Sequence, residues 1–85
     1  MTIEERNSGA LNLRGRALME LGRFEEAEAS LRRALDADAL NAAAHNNLGI
    51  LYVRSRRRDE ARREFENALK INPELSEAKR NLEQL

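Results

Sequence analysis

Residues 42–75 decide the fold, and they read AAAHNNLGILYVRSRRRDEARREFENALKINPEL. Apolar and small residues recur at helical spacing through the first part, around Leu48, Gly49 and Tyr52, and again after Asp59. Asn72 and Pro73 follow the second helical pattern, and proline cannot continue a helix. The stretch therefore predicts a helix, a short turn, a second helix and a stop.

The preceding residues repeat this unit. When residues 8–41 are moved 34 positions onto residues 42–75, the identical residues fall at small and packing positions. These pairs are Ala10/Ala44, Asn12/Asn46, Gly15/Gly49, Arg23/Arg57, Glu26/Glu60, Ala27/Ala61, Ala34/Ala68 and Leu35/Leu69. The same offset carries residues 42–51 onto residues 76–85 and aligns Ala44/Ala78, Asn47/Asn81, Leu48/Leu82 and Leu51/Leu85. We therefore predict two whole units and the first helix of a third.

The first unit has its own helix signals. Apolar residues from Leu11 to Leu21 predict a helix over about residues 8–21, and Gly22 stands where a left-handed residue ends a helix. A second apolar stripe begins at Phe24 and fades at residues 36–38. Residues 1–7 are a lead-in, in which Thr2 and Glu5 have capping-box spacing. The first helix then begins either within this lead-in or after it, with Asn7 or Ser8 as its N-cap.

The period and its fixed small residues resemble the tetratricopeptide repeat, whose pattern is W-x-x-L-G-x-x-Y, then A-x-x-x-F, then P. In the second unit the matching residues are Leu48, Gly49, Tyr52, Ala61, Phe65 and Pro73, with His45 at the Trp position. In the first unit the matching residues are Gly15, Leu18, Gly22, Phe24, Ala27, Leu31 and Ala34. Arg14 and Ala39 replace the Leu and the Pro of the pattern.

We therefore predict an all-α fold with five helices, arranged as a right-handed stack of antiparallel hairpins. Its divisions are a lead-in (1–7), one repeat (8–41), a second repeat (42–75) and a C-terminal capping helix (76–85). Gly15 and Gly49, with Ala27 and Ala61, are small where two helix backbones must approach closely. His45 and Tyr52 are expected to be packing residues.

Composition excludes several classes of protein. The 15 basic and 15 acidic residues balance, so no global field favours nucleic acid or membrane. The chain has no cysteine and one histidine, and no constellation of catalytic residues. No apolar run approaches the length of a membrane span. We expect no enzymatic activity, no catalytic residue, no metal and no cofactor, and we expect a cytoplasmic location.

The resemblance implies a ligand site on the concave surface formed by the first helix of each unit. The residues that map onto this surface are Asn12, Arg16, Met19, Asn46, Ile50, Val53, Arg54, Glu77 and Arg80. Asparagines and arginines there would bind a peptide backbone and carboxylates, and the apolar residues would take an apolar side chain. The alternative is that the apolar residues are covered by neighbouring helices and the polar groups are solvated.

Some family members clamp a C-terminal carboxylate with lysine, asparagine and arginine side chains on three first helices. The corresponding residues of this chain are Asn12, Arg16, Asn47, Glu77 and Asn81. Only one of the asparagines is retained, and Glu77 has the wrong charge for binding a carboxylate. A receptor of that type is therefore disfavoured.

The turn of the second unit departs from the repeat. Its basic residues are Arg54, Arg56, Arg57, Arg58 and Arg62. Arg56 takes the place of Gly22, and Arg58 takes the place of Phe24, so the turn lacks both its left-handed glycine and its packing aromatic. Three interpretations remain open: a solvated, ion-paired turn, a contact with an acidic protein, or a contact with nucleic acid.

The leading hypothesis is a non-enzymatic protein–protein interaction module that binds a peptide or helix in the concave groove, in an adaptor or assembly role. One alternative is an RNA- or phosphate-binding helper that uses the basic turn, and another is a structural repeat unit that self-associates. We expect a protein or peptide partner, and the basic turn is compatible with an acidic one. We expect the chain to bind neither nucleic acid nor membrane. The chain is expected to be a monomer or a weak homo-oligomer.

Overall fold

The computed structural model describes residues 6–85. Five helices follow one another between residues 8 and 83 of this part of the chain, joined by short connections. They are α1 (Ser8–Glu20), α2 (Phe24–Ala37), α3 (Ala42–Arg54), α4 (Arg58–Ile71) and α5 (Ser76–Glu83). This confirms the predicted all-α fold of five helices. The last helix ends at Glu83 rather than at Leu85, because Gln84 is already its C-cap.

The first and third helices begin with the same cap. The side chain of Asn7 accepts a hydrogen bond from the backbone N–H of Ala10, and that of Asn41 accepts one from Ala44. An asparagine N-cap satisfies one of the donors that the first turn of a helix leaves free. Asn7 is thus the N-cap of α1, while the capping-box pair Thr2 and Glu5 lies outside the described residues.

The first and third helices also end alike. Gly22 and Arg56 have φ angles of 78° and 61°, and the next residue in each case bonds back into the helix. The N–H of Arg23 donates to the carbonyl of Leu18 at 2.9 Å, and that of Arg57 donates to Tyr52 at 2.7 Å. This is the left-handed helix ending that glycine favours. Arg56 thus adopts the left-handed conformation of the glycine that it replaces.

Each hairpin closes over a glycine. A Cβ atom placed on Gly15 would lie 2.6 Å from Cγ of Leu31, and one placed on Gly49 would overlap the ring of Phe65. Leu31 and Phe65 are fully buried, as are Ala27 and Ala61. The small residues therefore allow each pair of helices to approach closely, as the sequence predicted.

The core joins the two hairpins. Leu48, Leu51 and Tyr52 of α3 are buried in one cluster with Met19 and Leu31 of the first hairpin. Arg14, which takes the Leu48 position in the first unit, is exposed on α1. A charged side chain is tolerated there because no described hairpin packs against that face. On the other side of the core, Ala78 of α5 is completely buried, and Leu82 of α5 and Leu85 after it pack against the cluster.

Candidate peptide-binding groove

The predicted groove residues fall into exposed and buried groups. Arg16, Val53, Arg54 and Arg80 are exposed, and Ile50 is partly buried. Val53 keeps 43% of its surface accessible. The first helices of the units therefore present an accessible face that combines aliphatic and cationic side chains.

Met19 and Asn46 were predicted to contact a ligand, but both are buried. Met19 is 1% exposed and belongs to the central core cluster. Asn46 is 3% exposed because α5 covers it. A buried side chain offers a ligand no surface in this structure, so these two positions are better explained by packing between helices.

Paired asparagines connect the first helices of successive units. The side-chain amide of Asn47 donates to Oδ1 of Asn12 at 2.8 Å, and that of Asn81 donates to Oδ1 of Asn46 at 3.1 Å. The second pair is the first pair moved by one repeat. These amides hold one helix against the next, because a buried amide without a partner would be costly. Asn12, partly buried, is committed to this contact and is less available to a ligand.

A cleft opens between α3 and α5 on the accessible face. One part of it has a volume of about 210 Å³ and is lined by Ile50, Val53, Arg54, Phe65, Asn81, Gln84 and Leu85. A second part, of about 360 Å³, is lined by Val53, Arg56, Arg58, Gln84 and Leu85. Because Val53, Gln84 and Leu85 line both parts, we treat them as one depression and call it the α3–α5 cleft. It brings predicted groove residues together with three arginines of the basic turn, Arg54, Arg56 and Arg58.

The arginines of the basic turn have different surroundings. The guanidinium of Arg57 donates to Oε1 of Glu60 at 2.7 Å and lies 4.4 Å from the centre of the Tyr52 ring. Arg54 lies 3.4 Å from Glu20, and Arg62 lies 3.9 Å from Asp59. These three side chains are paired within the molecule, and Arg57 has a structural role in holding the turn.

Arg56 and Arg58 differ from the other three arginines. Both side chains are exposed, and within residues 6–85 neither has a carboxylate oxygen within 4.0 Å. Both also line the α3–α5 cleft. In the predicted basic turn, Arg57 and Arg62 are therefore paired within the fold, and Arg54 is paired and also lines the cleft. Arg56 and Arg58 line the cleft without a described carboxylate partner.

A polar network beneath the turn was missed by the sequence analysis. The hydroxyl of Tyr52 donates to Oε2 of Glu28 at 2.8 Å and accepts a hydrogen bond from Arg32. Arg57 reaches Oε1 of Glu28 at 3.4 Å. The spacing of Glu28 and Arg32 predicts their contact along α2, but nothing local indicates that Tyr52 joins them from α3. The network ties the basic turn to the first hairpin.

The network shifts the pKa values of its members. Burial opposes the ionisation of Glu28, but hydrogen bonds from Tyr52 and Arg32 and the charges of Arg32 and Arg57 outweigh it and lower its pKa. Burial and the hydrogen bond to Glu28 raise the pKa of Tyr52 to about 12. The hydrogen bond from Arg57 lowers the pKa of Glu60. Glu28 is therefore ionised, and Tyr52 neutral, at neutral pH.

His45 and Tyr52 were predicted to be packing residues. His45 is partly buried, as predicted, and its Nδ1 lies 2.7 Å from Oε1 of Glu64. Tyr52 is 1% exposed and lies in the core, also as predicted.

Among residues 6–85, no group of three or more acidic, histidine or cysteine side chains is arranged to hold a metal ion. None of the helices described has both the length and the apolar character that crossing a membrane requires.

The fold places this chain in a class of proteins that are built from repeated helical hairpins, with a repeat length here of 34 residues. The sequence profile described as "Tetratricopeptide repeat" matches residues 12–76, which is more than half of the chain. The chain therefore belongs to the tetratricopeptide repeat family, as its resemblance predicted. No curated protein sequence matches it closely enough to count as a relative.

Solved structures share the fold. Two crystal structures of MamA superpose with TM-scores of 0.87 and 0.86 at 23% identity, covering 92% of this chain and 46% and 43% of the MamA chains. The first TPR of Spaghetti (RPAP3), bound to the HSP90 peptide SRMEEVD, superposes with a TM-score of 0.87 at 23% identity. That match covers 93% of this chain and 63% of the other. The chain thus spans less than two thirds of each of these proteins, and the likeness shows the fold.

Proposed function

We propose that this chain is a non-enzymatic interaction module that binds a peptide or helix of a partner protein in its concave groove, in an adaptor or assembly role. The observation that carries the proposal is the α3–α5 cleft, where Ile50 and Val53 lie beside Arg54. An apolar depression with a few polar groups at its edge is the usual form of a ligand site. The structural neighbour solved with a bound peptide supports the same use of the fold.

The groove suits a protein ligand better than RNA. Proteins that bind single-stranded RNA stack its bases on exposed aromatic side chains. The three aromatic residues of the chain are not available for this, because Tyr52 and Phe65 are buried in the core and Phe24 packs against it. Several of the arginines are also neutralised by carboxylates within the molecule. The RNA-binding alternative therefore has less support than the peptide-binding one.

Site-specific photocrosslinking tests the proposal. A benzoylphenylalanine in place of Val53 would lie in the α3–α5 cleft, and one in place of Ala29 would lie on the exposed face of α2, away from the groove. In native lysate we expect the Val53 probe to form a discrete adduct with another protein that the Ala29 probe does not form. Mass spectrometry of the adduct identifies the partner.

The same experiment separates the rival functions. Equal adduct patterns from both probes would contradict a groove-directed function. An adduct between two copies of this chain would instead favour self-association, for which the exposed Leu13 on α1 and Leu21 at its C-cap are candidate apolar contacts. An adduct with RNA would favour the nucleic-acid alternative.

A further inference from the structure

The α3–α5 cleft has an internal counterpart in the same chain. Because the units repeat every 34 residues, each residue that lines its 360 Å³ part has an equivalent at the junction between the first and second units. The equivalent pairs are Met19/Val53, Gly22/Arg56, Phe24/Arg58, Ile50/Gln84 and Leu51/Leu85. The first junction therefore allows a comparison of equivalent positions within the same chain.

At the first junction the positions are filled by large apolar residues. Met19 and Leu51 are each 1% exposed, and both belong to the central cluster. Phe24 and Ile50 are partly buried and pack against the same cluster. Gly22 ends α1 with a φ of 78°, a conformation that costs glycine little. A depression of about 350 Å³ also lies beside this turn, lined by Gly22, Arg23, Phe24, Glu25 and Glu26. The two junctions therefore differ in the polarity of the equivalent positions.

At the second junction four of the five positions have lost apolar volume or gained polarity, and one of them is Arg56 in place of Gly22. Val53 is shorter than Met19, Gln84 is polar where Ile50 is apolar, and Arg58 replaces the phenyl ring of Phe24. All four changed positions line the 360 Å³ part of the cleft. This part of the cleft is therefore more polar and more cationic than the equivalent positions of the first junction.

Two of these substitutions are unfavourable for folding. Arg56 has a φ of 61°, a conformation that strains residues with a Cβ atom. Arg58 is the first residue of α4, where the helix dipole disfavours a positive charge. Asp59 and Glu60 follow within the first turn, but the arginine itself gains no described ion pair there. Neither side chain therefore has a structural reason for its place at the cleft.

The charges at the cleft indicate what it would bind. An arginine guanidinium has donors arranged as a fork that matches a carboxylate, and it pairs with one more strongly than with a neutral acceptor. Val53 and Leu85 supply an aliphatic wall between these arginines and the rest of the groove. The complementary ligand has an aliphatic side chain beside one or more carboxylates.

We propose that the α3–α5 cleft recognises an acidic segment of a partner protein in which a leucine, isoleucine, valine or methionine adjoins aspartate or glutamate. The aliphatic side chain contacts Val53 and Leu85, and the carboxylates pair with Arg56 and Arg58. This inference rests on the proposed function, because it names the ligand chemistry of the same groove. It depends on arginines at the turn between α3 and α4 and not on the asparagine positions of the carboxylate clamp.

Fluorescence anisotropy with defined peptides tests the inference. The probes are fluorescein-labelled Gly-Ser-Leu-Glu-Glu-Gly-Ser and its neutral form, in which both glutamates are glutamine. We expect the full chain to bind the acidic peptide at least about tenfold more tightly than the neutral peptide, a ratio that corresponds to about 1.4 kcal/mol. A peptide with serine in place of leucine should also bind more weakly, because it lacks the aliphatic contact.

The decisive variant carries Arg56→Gly together with Arg58→Phe. It restores the residues of the first junction, so we expect it to fold at least as well as the original chain while it loses the preference for the acidic peptide. The matched control carries Arg33→Ala together with Arg63→Ala, which removes two exposed arginines from α2 and α4 that do not line the cleft. This control should keep the preference.

Each other outcome overturns the inference. The inference fails if the acidic and neutral peptides bind equally, if the preference survives in the Arg56→Gly, Arg58→Phe variant, or if the control loses it to the same extent. Tighter binding of labelled oligouridine than of the acidic peptide would assign the cleft to nucleic acid. If the Val53 crosslink still forms while the acidic preference is absent, the groove function stands and only the ligand chemistry is wrong.

Discussion

Gly49 has no side chain, and the packing of the second hairpin depends on that absence. The ring of Phe65, which is fully buried, occupies the space that a Cβ atom on Gly49 would need. Gly15 has the same relation to Leu31 in the first hairpin. Glycine lowers the intrinsic stability of a helix by about 1 kcal/mol relative to alanine. These glycines are therefore explained by close packing and not by helix formation.

The substitution Gly49→Ala tests this explanation. Overpacking a core costs about 1–3 kcal/mol, and this exceeds the gain in helix propensity because the buried ring cannot move aside easily. We expect a net loss in the free energy of unfolding, measured by urea denaturation. Adding Phe65→Leu should make the effect of Gly49→Ala smaller, since the two changes are coupled through one contact.

Gly9 provides the control for the glycine substitutions. It lies in the first turn of α1 and is exposed, so Gly9→Ala causes no overpacking of the core and should raise the free energy of unfolding by up to about 1 kcal/mol rather than lower it. A Gly49→Ala variant as stable as the original chain would show that the hairpin is not closed over this residue.

Glu28 connects three helices. From α2 it accepts hydrogen bonds from Arg32 on the same helix and from Tyr52 on α3, and it pairs with Arg57 at the start of α4. Its side chain is 22% exposed, so its interactions are less screened than those of the fully exposed ion pairs. The network holds the turn between α3 and α4 in place, and it does so only while Glu28 is ionised.

The network predicts a pH dependence of stability. The pKa of Glu28 is lower in the folded chain than in the unfolded chain, so its contribution is present above the unfolded pKa and is lost as the pH falls through the folded one. We expect Glu28→Gln to lower the melting temperature at pH 7. Because the variant has no carboxylate to protonate at this position, its deficit should shrink in melting curves recorded toward pH 3.

Glu25 gives the matched control for this pH experiment. It lies in the first turn of α2 and is exposed, and Glu25→Gln removes the same charge without touching the network. If Glu28→Gln and Glu25→Gln changed the melting temperature equally at every pH, Glu28 would have no special role in holding the helices together.

The helices and their ends were predictable because their signals are local. The 3.6-residue periodicity, the asparagine caps and Gly22 all act within a few positions along the chain. The contacts between helices were harder to predict from the sequence, since the partner of Asn47 is Asn12, which is 35 residues away. The burial of Met19 was missed for the same reason, because it depends on how α3 packs against the first hairpin.

At the scale of the whole molecule, the repeat explains both the stability and the candidate site. At the first junction Met19 lies in the core cluster and Phe24 packs against it, whereas at the second junction the equivalent Val53 and Arg58 are exposed and line the cleft. The difference in residue type can be read from the sequence, because the 34-residue offset aligns the equivalent residues of the two junctions directly. Only the structure shows that the changed positions face one cleft. The boundaries of the repeats at residues 8–41 and 42–75, and the capping role of residues 76–85, remain predictions.

We infer that Arg56 and Arg58 contribute to ligand binding and lower the stability of the fold. Thermal denaturation of the original chain and of the Arg56→Gly, Arg58→Phe variant, each with and without the peptide Gly-Ser-Leu-Glu-Glu-Gly-Ser, tests it most directly. Relief of a strain on the order of 1 kcal/mol at Arg56 should raise the melting temperature of the variant by about 4–8 °C.

The peptide should raise the melting temperature of the original chain, because a ligand that binds only the folded state stabilises it, and should leave that of the variant unchanged. This opposite response of stability and binding is the result that the account predicts. A variant that melts at a lower temperature than the original chain, or one that the peptide stabilises as strongly as the original chain, would contradict it.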